Sequence, residues 1–139
     1  MYAYIRGIKS VLTVDDYVPF LGDHPIFAKI GYDGSLWGPI IEKMFAKYMV
    51  NYENIQGGFE PEAFNFLTGA PSVLYALNMH TLEEIWDLIL EANKSGYIMA
   101  AGTKPAPGGD KSNNEYGLAY NHAYTILSAH EIVDDKGRK

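Results

Sequence analysis

Apolar and polar positions along the chain change period several times, and each change predicts an element. Residues 2–8 and 11–14 are rich in β-branched and aromatic side chains and predict strands. Asp15-Asp16 and Pro19 mark a turn, Gly22-Asp23-His24-Pro25 marks another, and residues 26–30 predict a short strand closed by Gly31 and Asp33-Gly34. From Leu36 to Met49 the period becomes helical: Leu36, Trp37, Ile40, Ile41, Met44, Phe45 and Tyr48 form one apolar stripe. Ser35 is the expected N-cap, and Pro39 falls in the first turn, where its missing N–H costs little.

Further along the chain the signals change again. Residues 52–56 continue as a helical turn or loop, and Gly57-Gly58 breaks the chain. Residues 61–67 predict a short helix ended by Gly69-Ala70-Pro71. A stronger helix starts at a capping box, Thr81 with Glu84, and its expected buried stripe is Leu82, Ile85, Trp86, Ile89 and Ala92. Gly96 stands where a left-handed C-terminal residue is wanted. Residues 97–103 predict a strand. Residues 104–114, rich in Pro, Gly and Asn, predict the most mobile loop. Residues 118–132 predict a long strand or hairpin, in which alternation puts His122 on one face with Tyr120, Tyr124 and Ile126. Strands, helices and strands in that order predict an α+β fold rather than alternating parallel units, with no internal repeat.

Composition narrows the function classes. A chain of 139 residues with 47% hydrophobic and 14% aromatic content is one domain's worth of sequence and can form a core. The formal net charge of −6 and the absence of any basic run argue against a nucleic-acid partner. Lys136-Gly137-Arg138-Lys139 reads as a solvated tail. No apolar stretch approaches the roughly 20 residues that span a bilayer, and the N-terminus lacks the form of a signal peptide, so no membrane partner and a cytoplasmic setting are expected. Zero cysteine excludes disulfides and thiolate metal sites. The histidines show no metal spacing, and no serine sits in a nucleophile elbow.

Five segments together resemble the calpains, papain-like calcium-dependent cysteine endopeptidases. They are Val14-Asp15-Asp16-Tyr17-Val18-Pro19, the run from Leu36-Trp37-Gly38-Pro39 to Glu42-Lys43 and Ala46-Lys47, Tyr52-Glu53-Asn54-Ile55-Gln56-Gly57-Gly58, Glu62-Ala63-Phe64-Asn65-Phe66-Leu67-Thr68-Gly69, and His122-Ala123-Tyr124. The resemblance covers nearly the whole chain and implies a single partial papain-like proteinase core over residues 1–139, a helical part followed by an antiparallel β part, with a hinge near 56–58. It implies that His122 occupies the position of the catalytic base, which takes a thiol proton and later protonates the leaving amine. Gly57 and Gly58 match a Gly pair whose backbone can pair with an extended polypeptide substrate. Asn121 stands where the family usually has Gly, and it puts a side chain beside the cleft.

The same resemblance places a nucleophile helix before this sequence and an orienting Asn-Pro-Trp segment after it. A histidine base without a thiol cannot carry out thiol chemistry, so the chain alone is expected to be inactive. The expected function is part of a calpain-like endopeptidase, with the remainder of the core as a partner. The alternative is a non-catalytic binding or scaffold module within a protein assembly. Calcium is implied by the family alone: one family site uses an acidic residue just ahead of the helix Trp, where this chain has Ser35, so no cofactor or metal site is assigned. Asp15-Asp16 and Asp134-Asp135 are read as turn acids. A truncated core is expected to expose apolar surface and to associate or be marginally stable.

Overall fold

Two left-handed residues, Arg6 (φ 51°) and Gly7 (φ 78°), turn the N-terminal segment back on itself in the computed structural model. The segment expected to be one strand over residues 2–8 is therefore a hairpin: β1 (Tyr2–Ile5) pairs antiparallel with β2 (Ile8–Val11), Tyr2 opposite Val11 and Ile5 opposite Ile8. A two-residue turn with positive φ at both positions matches the twist of paired strands. The structure describes residues 1–137, so Arg138 and Lys139 of the expected solvated tail lie outside the described residues.

The chain divides into two units, Met1–Leu74 and Tyr75–Lys139. In the first, β3 (Phe20–Leu21) and β4 (His24–Pro25) make a second, minimal hairpin around Gly22-Asp23. Residues 26–30 do not form the expected strand. Their amides have other acceptors: Ile26 N–H donates to Pro19 O at 3.1 Å, and Ala28 N–H to Glu42 Oε2 at 2.9 Å. Helix α1 (Trp37–Tyr48) begins after Leu36, not after a Ser35 cap. Ser35 is already committed to a turn, its N–H donating to Asp33 Oδ1 and its carbonyl accepting from Gly31 N–H.

Helix α2 (Glu60–Thr68) has Pro61 in its first turn and ends at Gly69, whose φ of 70° lets its N–H return to Asn65 O. The core of this unit is small. Ala3, Met44 and Phe66 are buried together, flanked by Leu12, Val14 and Phe45. Phe66 meets the Phe45 ring edge-on at 5.0 Å and stacks on Tyr48 at 5.0 Å. Met44 is the centre of the predicted α1 stripe and is 1% exposed; Trp37, at its start, is 68% exposed.

The second unit is built on α3 (Leu82–Lys94), β5 (Met99–Gly102) and β6 (Ala123–Ile126). The capping box forms as expected: Thr81 Oγ1 accepts from Glu84 N–H, and Glu84 Oε2 accepts from Thr81 N–H. At the other end Gly96 (φ 70°) allows Tyr97 N–H to reach back to Ala92 O and Gly96 N–H to reach Asn93 O. The stripe expected to be buried is not: Ile85, Ile89 and Ala92 are half-buried, while Leu82 is 85% and Trp86 40% exposed. The physical reason is that β5 and β6 alone form the sheet of this unit, and no described residue of the unit is fully buried.

The long strand expected over residues 118–132 is only β6, paired antiparallel with β5 from Met99 opposite Ile126 to Gly102 opposite Ala123. Beyond it, Ala129 is held by a side chain instead of a strand: its N–H donates to Asn93 Oδ1 and its carbonyl accepts from Asn93 Nδ2. Three α-helices and three small antiparallel sheets among the described residues make the fold a mixed α+β one, as the element order implied.

Candidate functional site

Directly ahead of β6, the chain must leave the β5–β6 ladder, and one hydroxyl makes the exit. Thr103 N–H donates to His122 O at 2.9 Å, as a ladder partner would. In the return direction His122 N–H donates to Thr103 Oγ1 at 3.0 Å, so a side-chain oxygen replaces the backbone acceptor. The same Thr103 hydroxyl donates to Ala119 O at 2.7 Å. Freed from the ladder, the backbone turns through Asn121, whose φ is 50°. That left-handed conformation is one that glycine adopts freely and Asn tolerates better than most residues. It also gives a physical account of why glycine suits the position before the histidine.

The arc from Ala119 to His122 is closed at every amide. Ala119 N–H donates to Tyr124 Oη at 2.9 Å, Tyr120 N–H to Ser112 O at 3.0 Å and Asn121 N–H to Lys104 O at 3.0 Å. The loop expected to be mobile carries its own bonds: Asn114 Oδ1 accepts from Tyr116 N–H and Leu118 N–H, and Ser112 Oγ contacts the carbonyls of Pro107 and Gly109. The His122 side chain is exposed, and its ring meets the Tyr124 ring edge-to-face, with centroids 4.9 Å apart and planes at 74°. Among the described residues its ring nitrogens have no hydrogen-bond partner, so both are available to a reactant. The ring contact bears out the expected neighbourhood of His122 and Tyr124, while the left-handed Asn121 interrupts the extended backbone between Tyr120 and His122, and the strand begins only at Ala123. In the sequence, Thr103 is marked only by a hydroxyl at the end of a run of small apolar residues.

Gly57 and Gly58 belong to the first unit, between the turn at Glu53–Ile55 and α2. Both are exposed, neither has positive φ, and a Cβ built on either would meet nothing within 4 Å. Internal packing therefore gives no reason for glycine at either position, and their backbone is open to an approaching chain. Asn121 and His122 are brought together in the second unit.

Of the acids read as turn residues, Asp15 and Asp134 are engaged by the chain itself: Lys43 Nζ and Tyr17 N–H both bind Asp15 Oδ1, and Lys136 N–H binds Asp134 Oδ1. Among the described residues no three His, Asp or Glu side chains converge as a metal site. Calcium takes six or more oxygens, and these residues do not fit such a cage, so no step is routed through it. No helix among the described residues is long and apolar enough to cross a membrane.

Residues 3–139 match the family described as Calpain family cysteine protease. The calpain-type cysteine protease DEK1 of Zea mays is 28% identical over 139 residues, covering 95% of this chain and 6% of that protein. Human Calpain-14 is 28% identical over 124 residues, covering 88% of this chain and 17% of that protein. Calpain-B of Drosophila melanogaster is 25% identical over 115 residues, covering 83% and 12%. The chain thus spans a small part of each of these relatives. The matches bear out the family resemblance read from the five sequence segments, and with it the partial papain-like α+β fold.

Proposed function

Because this chain belongs to the calpain family of cysteine proteases, we propose that it supplies the histidine-bearing part of a proteolytic core whose thiol nucleophile is carried outside these 139 residues. The observation that carries this reading is the exposed His122 imidazole, seated at a strand end with no hydrogen-bond partner for its ring nitrogens among the described residues, in a chain with no cysteine. Its role is to take the proton of an incoming thiol and return it to the leaving amine of a polypeptide substrate. Gly57 and Gly58 offer unobstructed backbone to an extended substrate strand.

The open surface supports a missing complement. The chain exposes 11162 Å². Two separate compact bodies of half its 15.5 kDa mass would together expose only about 8,700 Å². Much of the exposed area is large apolar side chains, among them Trp37, Phe59, Leu82 and Leu127. Surface of that kind fits the remainder of a core better than it fits water. The reading places the chain in the cytoplasm, a compartment where a free thiolate nucleophile persists.

The test is reconstitution. The chain is mixed or co-expressed with a cysteine-bearing calpain segment and assayed on a fluorogenic peptide. Hydrolysis is expected in the mixture, not in either part, and is expected to vanish with His122→Ala. Peptide hydrolysis by the purified chain alone sinks the proposal. The same absence of cysteine also favours a second reading, a binding module that retains the fold without the chemistry. That reading gains if the chain buries at least roughly 1,000 Å² in a stable complex that never hydrolyses peptide.

A further inference from the structure

Resting on that reading, we propose that Thr103 and Tyr124 are positioning residues that fix where the His122 imidazole is presented. Neither carries protons to or from a substrate. They act on the histidine from two sides, one on its backbone and one on its ring.

Thr103 uses its hydroxyl completely. As acceptor it takes His122 N–H at 3.0 Å, and as donor it gives its proton to Ala119 O at 2.7 Å. Its own N–H holds His122 O at 2.9 Å. Both polar backbone groups of His122 are thereby tied to one residue at the end of β5. Valine has the shape to replace threonine there but has no group to receive the His122 amide.

Tyr124 supplies the other contact. Its ring lies edge-to-face with the imidazole at 4.9 Å and restrains the histidine ring, whose nitrogens have no hydrogen-bond partner among the described residues. Its hydroxyl accepts from Ala119 N–H at 2.9 Å. Ala119 is therefore gripped on both sides, its carbonyl by Thr103 and its amide by Tyr124. The four residues between the grips contain the left-handed Asn121 (φ 50°), a conformation that persists only where the surroundings hold it.

This matters because a base works only within hydrogen-bond reach of its proton, and a misplacement of about 1 Å can cost on the order of 100-fold in rate. Among the described residues the Tyr124 ring is the side chain in contact with the imidazole, so within this chain it is the contact that aims the ring, beside any orienting group supplied from the remainder of the core. The choice of Tyr over Phe follows from the Ala119 amide, which Phe would leave unpaired.

The experiment is NMR on the full chain, comparing Thr103→Val, Thr103→Ser, Tyr124→Phe and Tyr124→Leu. Three readouts are taken: the His122 imidazole C–H signals, amide exchange at Ala119 and His122, and exchange at the β5–β6 ladder amides. Thr103→Val is expected to speed exchange at His122 by about five- to tenfold, and Thr103→Ser to restore it. Tyr124→Leu is expected to move the His122 ring signals toward those of an unstructured histidine. Tyr124→Phe is expected to keep the ring signals displaced while deprotecting Ala119. Ladder amides keep their protection in all of these variants. The proposal is overturned if the ring signals stay put in Tyr124→Leu, or if ladder protection falls together with His122 in the conservative variants, which would mark a general structural role. Should Thr103→Val or Tyr124→Leu unfold the second unit, the conservative pair decides: Tyr124→Phe must deprotect Ala119 alone, and Thr103→Ser must keep His122 protected. None of these readouts requires hydrolysis, so a failure of this inference is separable from a failure of the proteolytic reading.

Discussion

Lys43 on α1 reaches back 28 residues to the Asp15 carboxylate and, with the same ammonium group, to the Tyr17 carbonyl. One turn later Lys47 Nζ donates to Thr13 O at 2.6 Å, and one residue earlier Glu42 holds Ala28 N–H. The charged positions off the α1 stripe are thus clasps that hold irregular backbone against the helix, where an exposed charge would otherwise contribute little. The ammonium of Lys43 and the Tyr17 N–H hold the Asp15 carboxyl below the usual carboxylate range. A depressed folded-state pKa stabilises the fold above the ordinary value of about 4 and loses that contribution as pH falls through the folded value. Unfolding midpoints measured across pH should therefore decline below about pH 4, and Asp15→Asn should flatten part of that decline. Identical pH profiles for the two proteins would show the clasp to be inert.

Met44→Ala empties the centre of the small first-unit core, where Met44 is 1% exposed beside Ala3 and Phe66. Removing a buried methionine side chain costs about 2–5 kcal/mol. In a core this thin, that loss should leave the first unit largely unfolded at room temperature, read from urea titration and near-UV circular dichroism. A midpoint unchanged from the parent would mean that the cluster is not the unit's core.

Two glycine substitutions should separate packing from access. At Gly69, φ is 70° and an added Cβ would collide with the Tyr4 ring, so Gly69→Ala should cost at least about 1 kcal/mol. At Gly58 nothing lies within 4 Å, so Gly58→Ala should change stability by less than about 0.5 kcal/mol. Its effect should appear instead as weaker binding of an extended peptide to the reconstituted core, measured by titration. Binding that is indifferent to Gly58→Ala would remove the glycine pair from the substrate site.

Asn121 tests the left-handed exit from the ladder. Asn121→Gly should be neutral or mildly stabilising, whereas Asn121→Val should cost about 1–2 kcal/mol, because a β-branched side chain resists φ of 50°. Chemical denaturation of the three proteins gives the order. Equal stability for Gly and Val at this position would contradict the backbone geometry.

Thr81→Ala removes a cap whose two hydrogen bonds are both present, at 3.2 and 2.9 Å. The expected loss is about 1 kcal/mol in the second unit, seen as reduced helix content near the start of α3 by amide exchange. Unaltered protection of the first α3 turn would count against the cap.

Local signals in the chain were read correctly where a short stretch carries its own answer. The Thr81–Glu84 box, the Gly69 and Gly96 terminators and the α1 period each depend on residues within one or two helical turns. Where the outcome depended on a distant partner, reading failed. Residues 26–30 have strand composition, yet the Ala28 amide was claimed by Glu42 on α1. Residues 118–132 have strand alternation, yet Asn121 turns away because Thr103 offers its hydroxyl, and Ala129 is satisfied by Asn93. The α3 stripe has the right period, but a period specifies which face is apolar, not whether anything covers it.

By itself the order of residues determined the family, the α+β layout, the helix boundaries to within a residue or two, and the coexistence of a histidine base with no cysteine. Those properties are written in local periodicity, capping chemistry and residue identity. Only the tertiary structure decided that His122 stands at the mouth of the β5–β6 ladder, braced by Thr103 and Tyr124. That arrangement depends on a hydrogen bond formed across 19 residues of chain, and no local pattern specifies which distant hydroxyl will receive an amide.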